Sequence, residues 1–225
     1  MNLFERLLMP YWVAPPKFLT GLYPKLIWEI PDPEPSLYLT FDDGPTPEVT
    51  EWVLEKLDDY GAKSSFFCIG SKAKQHPEIL EQVIKAGHSV GNHTHHHLHG
   101  WKTPLNEYID DIRQCAEHVP SSLFRPPYGK ITRAQTNYLL QNPEVFGTNQ
   151  STKIVMWSIV SADWMNQLPW QTCFKHVVSN VSLNSKPFSP VIVFHDSQKA
   201  LYNLREVLPR ILDYYHQKNF CFKAI

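Results

Sequence analysis

Residues 37–45 read LYLTFDDGP. The unbroken apolar and β-favouring run at 37–41 is the pattern of a strand covered on both faces, as strands of parallel sheets are. It ends in two adjacent carboxylates and a Gly-Pro pair that forces a bend. Outward from this stretch the pattern recurs: short strand-like runs at 64–69, 88–92, 122–125, 154–159, 191–194 and 220–224 alternate with amphipathic segments. The helix signals are punctuated. Thr46-Pro47 offers an N-cap with Pro at the first helical position, and Gly61 closes that segment. Pro77 opens a second helix that Gly87 ends. Thr103-Pro104 opens a third, with Leu105, Tyr108, Ile109, Ile112 and Ala116 on one face, and two more are expected near 170–183 and 205–218. Seven strands interleaved with helices predict an α/β fold, a distorted (β/α) barrel of about seven parallel strands. It forms one domain over 37–225. The proline-rich residues 1–36 are expected to be an arm that packs on the barrel through Trp12, Phe18, Leu22, Tyr23, Ile27 and Trp28.

Whole-chain properties exclude several function classes. The 225 residues are 43% hydrophobic and 19% charged, with a net charge of −1, so no basic field points to nucleic acid. No stretch approaches the roughly 20 apolar residues of a membrane span. The first eighteen residues pair Glu5 with Arg6 and are interrupted by Pro10, Pro15 and Pro16, which is unlike an export signal. A cytoplasmic chain is therefore expected, with a periplasmic or cell-envelope location as the alternative. The four cysteines form no Cys-x-x-Cys pair, which argues against thiolate zinc or a disulfide framework, and Cys68 and Cys221 read as small buried hydrophobes. Nine glycines form no nucleotide-binding fingerprint.

The unusual polar clusters all fall at the ends of predicted strands, where parallel βα folds gather their catalytic groups. Asp42 and Asp43 would face opposite ways on a regular strand, and the bend at Gly44-Pro45 can turn both toward one site. One then suits a cation and the other a base, unless both are solvated in a plain turn. The stretch GNHTHHHLHG, 91–100, holds five histidines, of which His93/His97 and His95/His99 both have the four-residue separation that a helical turn brings together. Spacing does not choose between the pairs. FRPPYG, 124–129, is a stiff loop presenting Arg125, which would pair with a carboxylate. His195 and Asp163 each follow an apolar strand, and a histidine oriented by a carboxylate is the usual form of a general acid.

Taken together, TFDDGP at 40–45, the His93-Thr94-His95-His96-His97 segment, Arg125 to Tyr128, Asp163-Trp164 and Val193-Phe194-His195 resemble, in order, the signatures of the NodB-homology polysaccharide deacetylases, carbohydrate esterase family 4. The likeness spans about Leu37 to the C-terminus. The resemblance implies that Asp43, His93 and His97 hold one divalent transition metal, usually zinc. It implies that Asp42 is the general base held by Arg125, and that the Tyr128 backbone N–H stabilises the oxyanion. His195 would be the general acid oriented by Asp163, with Trp164 and Val193 lining the acetyl pocket. The implied activity is hydrolysis of N-acetyl groups from an amino-sugar polymer or oligomer of peptidoglycan or chitin type. An O-acetyl esterase or small-amide hydrolase is the competing enzyme, and a silent carbohydrate- or metal-binding protein the competing class. Two departures from the family pattern stand out: Val160 where an Asp is frequent, and Val193 where a Leu is usual.

Overall fold

The computed structural model describes residues 12–182 and 188–225. The start of the arm, with most of the first eighteen residues, and the last residue expected for the helix near 170–183 lie outside the described residues.

The elements run α1 (Lys17–Gly21), β1 (Glu29–Pro31), β2 (Ser36–Asp42), α2 (Val49–Asp58), β3 (Ser65–Cys68), α3 (Gly70–Gln75), α4 (Pro77–Lys85), β4 (Ser89–Asn92), α5 (Leu105–Ala116), β5 (Leu123–Phe124), α6 (Arg133–Gln141), β6 (Lys153–Ile154), β7 (Ile159–Val160), α7 (Trp170–Val178), β8 (Phe188–His195), α8 (Leu201–His216) and β9 (Cys221–Phe222). The parallel strands β6-β5-β4-β3-β2-β8-β7 curl into a half-barrel, and short β9 pairs with the start of β2. No described helix is long and apolar enough to cross a membrane.

Every residue of β2 is buried. Leu37, Leu39 and Phe41 join the outer layer beneath α2, α7 and α8, while Tyr38 joins Phe67, Leu123, Val155 and Val191 inside the curl. Residues inward by the same alternation, Thr40 and Asp42, rise toward the C-terminal rim. A third apolar cluster, built on Tyr108, Ile112, Phe124 and Phe146, covers the α5 side.

Several expectations need correction. The single strand foreseen at 154–159 is two strands, β6 and β7, with the chain leaving the sheet between them. The carbonyls of Val155 and Met156 instead accept from the buried Arg125 guanidinium, at 3.2 and 2.9 Å. A local run of apolar residues cannot announce a partner 30 positions away. Part of the arm fills the seam this leaves. Ile27 bridges to β6, with its N–H on the Ile154 carbonyl (2.9 Å) and its carbonyl under the Met156 N–H (2.7 Å), and β1 pairs antiparallel with the start of β8. Leu26, Tyr23, Ile27 and Trp28 do the packing, whereas Trp12, Phe18 and Leu22 are exposed. Helix α2 starts at Val49, after a left-handed Glu48, instead of at Pro47. Cys221 is exposed, because a two-residue strand at the sheet's end turns only Phe222 inward. Helix α6 was not foreseen, although its Thr132/Gln135 capping box stands in the sequence.

Candidate active site and metal centre

Asp42 ends β2 and, in the parallel register, lies opposite His195 at the end of β8. Adjacent strands thus bring a carboxylate and an imidazole to one rim. Asp42 is buried, and its Oδ1 accepts from Arg125 Nη1 at 2.6 Å. The same Nη1 donates to Thr40 Oγ1 at 2.7 Å, and the guanidinium lies 4.1 Å from the centre of the Phe67 ring. Arg125 is fully buried, which lowers its pKa, while the Asp42 charge opposes that shift. Its hydrogen bonds to two carbonyls, a hydroxyl and a carboxylate fix Asp42 in orientation.

Asp43 escapes strand alternation because its φ of 79° is left-handed. It therefore reaches the same rim as Asp42. Its Oδ1 lies 3.2 Å from His97 Nε2 and 3.7 Å from His93 Nε2, and the three ligand atoms fall within 4.8 Å of one another. His93 Nδ1 is 2.7 Å from the Arg125 carbonyl. A carbonyl only accepts, so Nδ1 carries the hydrogen and the Nε2 lone pair faces Asp43. His97 Nδ1 is 3.1 Å from the Tyr128 hydroxyl, which leaves its Nε2 facing Asp43 as well. Asp43 Oδ1 is buried and makes no aligned hydrogen bond. Two imidazole nitrogens and one carboxylate, gathered without being hydrogen-bonded to each other in good geometry, fit a divalent transition metal with further positions open. Burial opposes ionisation of Asp43, yet His97, His195 and His93 outweigh it and hold the carboxyl below the usual range. Burial brings His93 down to about 4, against the pull of Asp42 and Asp43. Both shifts favour the ligating forms.

The 93/97 pair does not converge through a helical turn. The segment is a loop folded about left-handed Thr94 and His97, with φ values of 61° and 57°. The Asn92 side chain accepts from the Thr94 N–H, and buried Asp111 on α5 accepts from the N–H groups of His95 and His96. Asp111 was not singled out from the sequence. The alternative pair points elsewhere: His95 packs against His96 and His118, and His99 stacks on Tyr128.

On the opposite side, His195 Nδ1 donates to Asp163 Oδ1 at 2.9 Å, and the His195 N–H donates to Oδ2 at 2.8 Å. Burial would lower the imidazole's pKa, but Asp163 outweighs it and raises the value to about 9. Asp163 is itself held by the Ser161 hydroxyl at 3.0 Å, and the Ser161 carbonyl takes the Nδ1–H of buried His176 on α7. The Trp164 ring packs edge-on against His195 at 4.6 Å, and Val193 is buried two residues before His195 on β8. Tyr128, left-handed at φ 59° and exposed, caps the His97 side. All the predicted site residues thus meet at one rim.

Asp196 was missed. It is 1% exposed, its N–H donates to the Asp42 carbonyl, and its Oδ2 accepts from Thr50 Oγ1. Burial raises its pKa to about 7, against the Thr50 hydrogen bond and Lys72. A Cβ on Gly44 would lie 1.9 Å from this carboxylate, so the glycine is needed for the DDGP bend to seat on it. The only sequence signal was its place beside His195.

A family model described as polysaccharide deacetylase matches residues 29–143, beginning within the arm. The chain is 32% identical over 185 residues to a peptidoglycan-N-acetylglucosamine deacetylase of Bacillus cereus, covering 77% of this chain and spanning 62% of that protein's length. It is 33% identical over 181 residues to a chitooligosaccharide deacetylase of Azorhizobium caulinodans, with 76% and 80% covered. Among solved structures, a peptidoglycan N-acetylglucosamine deacetylase in complex with 4-naphthalen-1-yl-N-oxidanyl-benzamide superposes with a TM-score of 0.78 at 28% identity, covering 94% of this chain and 95% of that one. The match to the family model extends over half the chain and takes in the carboxylate pair, the histidine loop and the arginine loop, so the chain belongs to the polysaccharide deacetylase family, carbohydrate esterase family 4.

Proposed function

We propose that this chain hydrolyses N-acetyl groups of amino-sugar residues in a glycan of peptidoglycan or chitin type, releasing acetate and a free amine. One observation carries the reading: a buried carboxylate and a carboxylate-oriented imidazole stand at paired positions of β2 and β8, beside a three-ligand cluster. The named relatives act on peptidoglycan N-acetylglucosamine and on chitooligosaccharides, which supports the substrate class.

Asp43, His93 and His97 would hold the metal, zinc by the chemistry of the donor set, and the ion would supply Lewis acidity toward the acetyl carbonyl and its attacking water. Asp42, aligned by Arg125, accepts the proton of the water whose oxygen bonds to the acetyl carbon. The Tyr128 N–H donates to the carbonyl oxygen as negative charge builds there. His195 then gives its Nε2 proton to the nitrogen as the C–N bond breaks. An amine is a poor leaving group unless protonated, and the raised pKa of His195 keeps that proton available at neutral pH. An activated aryl ester, whose leaving group needs no proton, would depend on His195 far less than an amide does. Trp164 and Val193 border the space for the acetyl methyl.

The test is Asp42→Asn on an N-acetylglucosamine oligomer, with acetate release and metal content both measured. Loss of about 10²–10⁴ in kcat with metal retained is expected. Turnover at the parental rate would remove Asp42 as base.

A further inference from the structure

We propose that Trp101 is the stacking platform of a glycan subsite outside the catalytic rim, seating a sugar further along the chain than the immediate neighbour of the one deacetylated; this rests on the proposed deacetylase activity. Most large apolar side chains of the described residues are buried, but Trp101 is 58% exposed and Tyr128 59%. The two belong to one file of rings that starts at the metal cluster. Tyr128 lies on His97 with ring centres 4.5 Å apart, His99 stacks on Tyr128 at 5.4 Å and an interplanar angle of 29°, and Trp101 meets His99 at 6.3 Å.

Exposure does not make Trp101 mobile. Its Nε1–H donates to the Ile131 carbonyl at 3.0 Å, and the Lys130 ammonium sits 4.3 Å from the centre of the ring. The one-turn 3-10 helix that carries it, Gly100–Lys102, is pinned by Gln135, whose amide donates to the carbonyls of Gly100 and Thr103. A Cβ at position 100 would come within 2.2 Å of the Lys130 carbonyl, so the turn rests directly on the loop that follows Tyr128. An indole held this firmly, yet 58% exposed, loses little rotamer freedom when something covers it. The C–H-bearing face of a pyranose is the matching partner, since it presents flat apolar area bordered by hydroxyls that stay solvated. A β-1,4-linked N-acetylhexosamine chain with one unit at the metal cluster would run its next units along this file.

The experiment compares kcat/KM for the dimer and the pentamer of β-1,4-linked N-acetylglucosamine in the parent, Trp101→Ala and Trp101→Phe, with pentamer binding measured by calorimetry on the Asp42→Asn background. Trp101→Ala should lower kcat/KM on the pentamer roughly threefold to tenfold, mainly through KM, and weaken pentamer binding by a similar factor. The dimer, too short to reach past the rim, should be processed as by the parent, and Trp101→Phe should recover part of the loss. A pentamer-to-dimer ratio and a pentamer affinity equal to the parent's in Trp101→Ala would overturn the subsite while leaving the deacetylase reading intact. Pentamer binding that depends on Trp101 without acetate release by the parent would sustain the subsite and sink the activity instead.

Discussion

Arg125→Met removes the charge that neutralises Asp42 while keeping an unbranched apolar stem of similar length. The guanidinium makes four hydrogen bonds, all inside the barrel, and has no exposed surface. Its loss leaves the Asp42 carboxylate buried without its cation and frees the carbonyls of Val155 and Met156, just where the strand is already broken. Breaking a buried ion pair on one side costs about 3–5 kcal/mol. A domain of this size loses about 2–4 °C in Tm per kcal/mol, so the variant should melt roughly 6–20 °C below the parent. The cost is that of an orphaned charge, so neutralising it should recover part of the loss. Arg125→Met/Asp42→Asn should therefore be more stable than the sum of the single variants predicts, by about 1–3 kcal/mol. Thermal melts of the four proteins, read by calorimetry in the metal-free state, complete the cycle. If Arg125→Met melts within about 2 °C of the parent, or the two substitutions simply add, Arg125 does not hold Asp42 as argued.

Three further outcomes can be measured. Alanine at His93 or His97 should abolish stoichiometric metal binding by elemental analysis, whereas alanine at His95 or His99 should leave it; the opposite pattern would move the metal centre to the other pair. In metal-free protein, His195 is raised from an unfolded value of about 6.5 to about 9, so its pair with Asp163 stabilises fully below about pH 6.5 and loses that contribution as pH rises through 9. Parent should therefore be more stable than Asp163→Asn at pH 6, by a margin that shrinks by pH 10 in denaturant titrations, and a pH-independent difference would refute the pairing. Val193→Leu should reduce the N-propionyl to N-acetyl ratio of kcat/KM by a factor of a few, because one added methylene shortens the acyl space by about 0.8 kcal/mol worth of contact. An unchanged ratio with normal metal content would make Val193 a packing residue.

Much of this protein was written into its sequence. The run at 37–41 is uncharged throughout and apolar but for Thr40 because helices cover one face of β2 and the barrel interior the other. The rim residues announced themselves because carboxylates and imidazoles at strand ends are costly unless used, and the order of TFDDGP, the histidine loop, RPPY, DW and the strand-ending His195 carried the family. Local chemistry such as Gly61 and Gly87, left-handed at φ 58° and 79°, was equally legible. What the sequence could not decide were contacts between distant segments. Spacing left the two histidine pairs open and the resemblance named His93 and His97, but only the folded chain shows how that pair faces Asp43: Thr94 and His97 turn left-handed. Arg125 breaks the strand at 155–156 by taking its carbonyls, residues 27–31 of the arm fill the seam, and buried Asp196 props the bend that aims both carboxylates. Each of these depends on partners dozens of residues apart, where burial and hydrogen-bond satisfaction are settled by the folded half-barrel and leave no period or spacing along the chain to read.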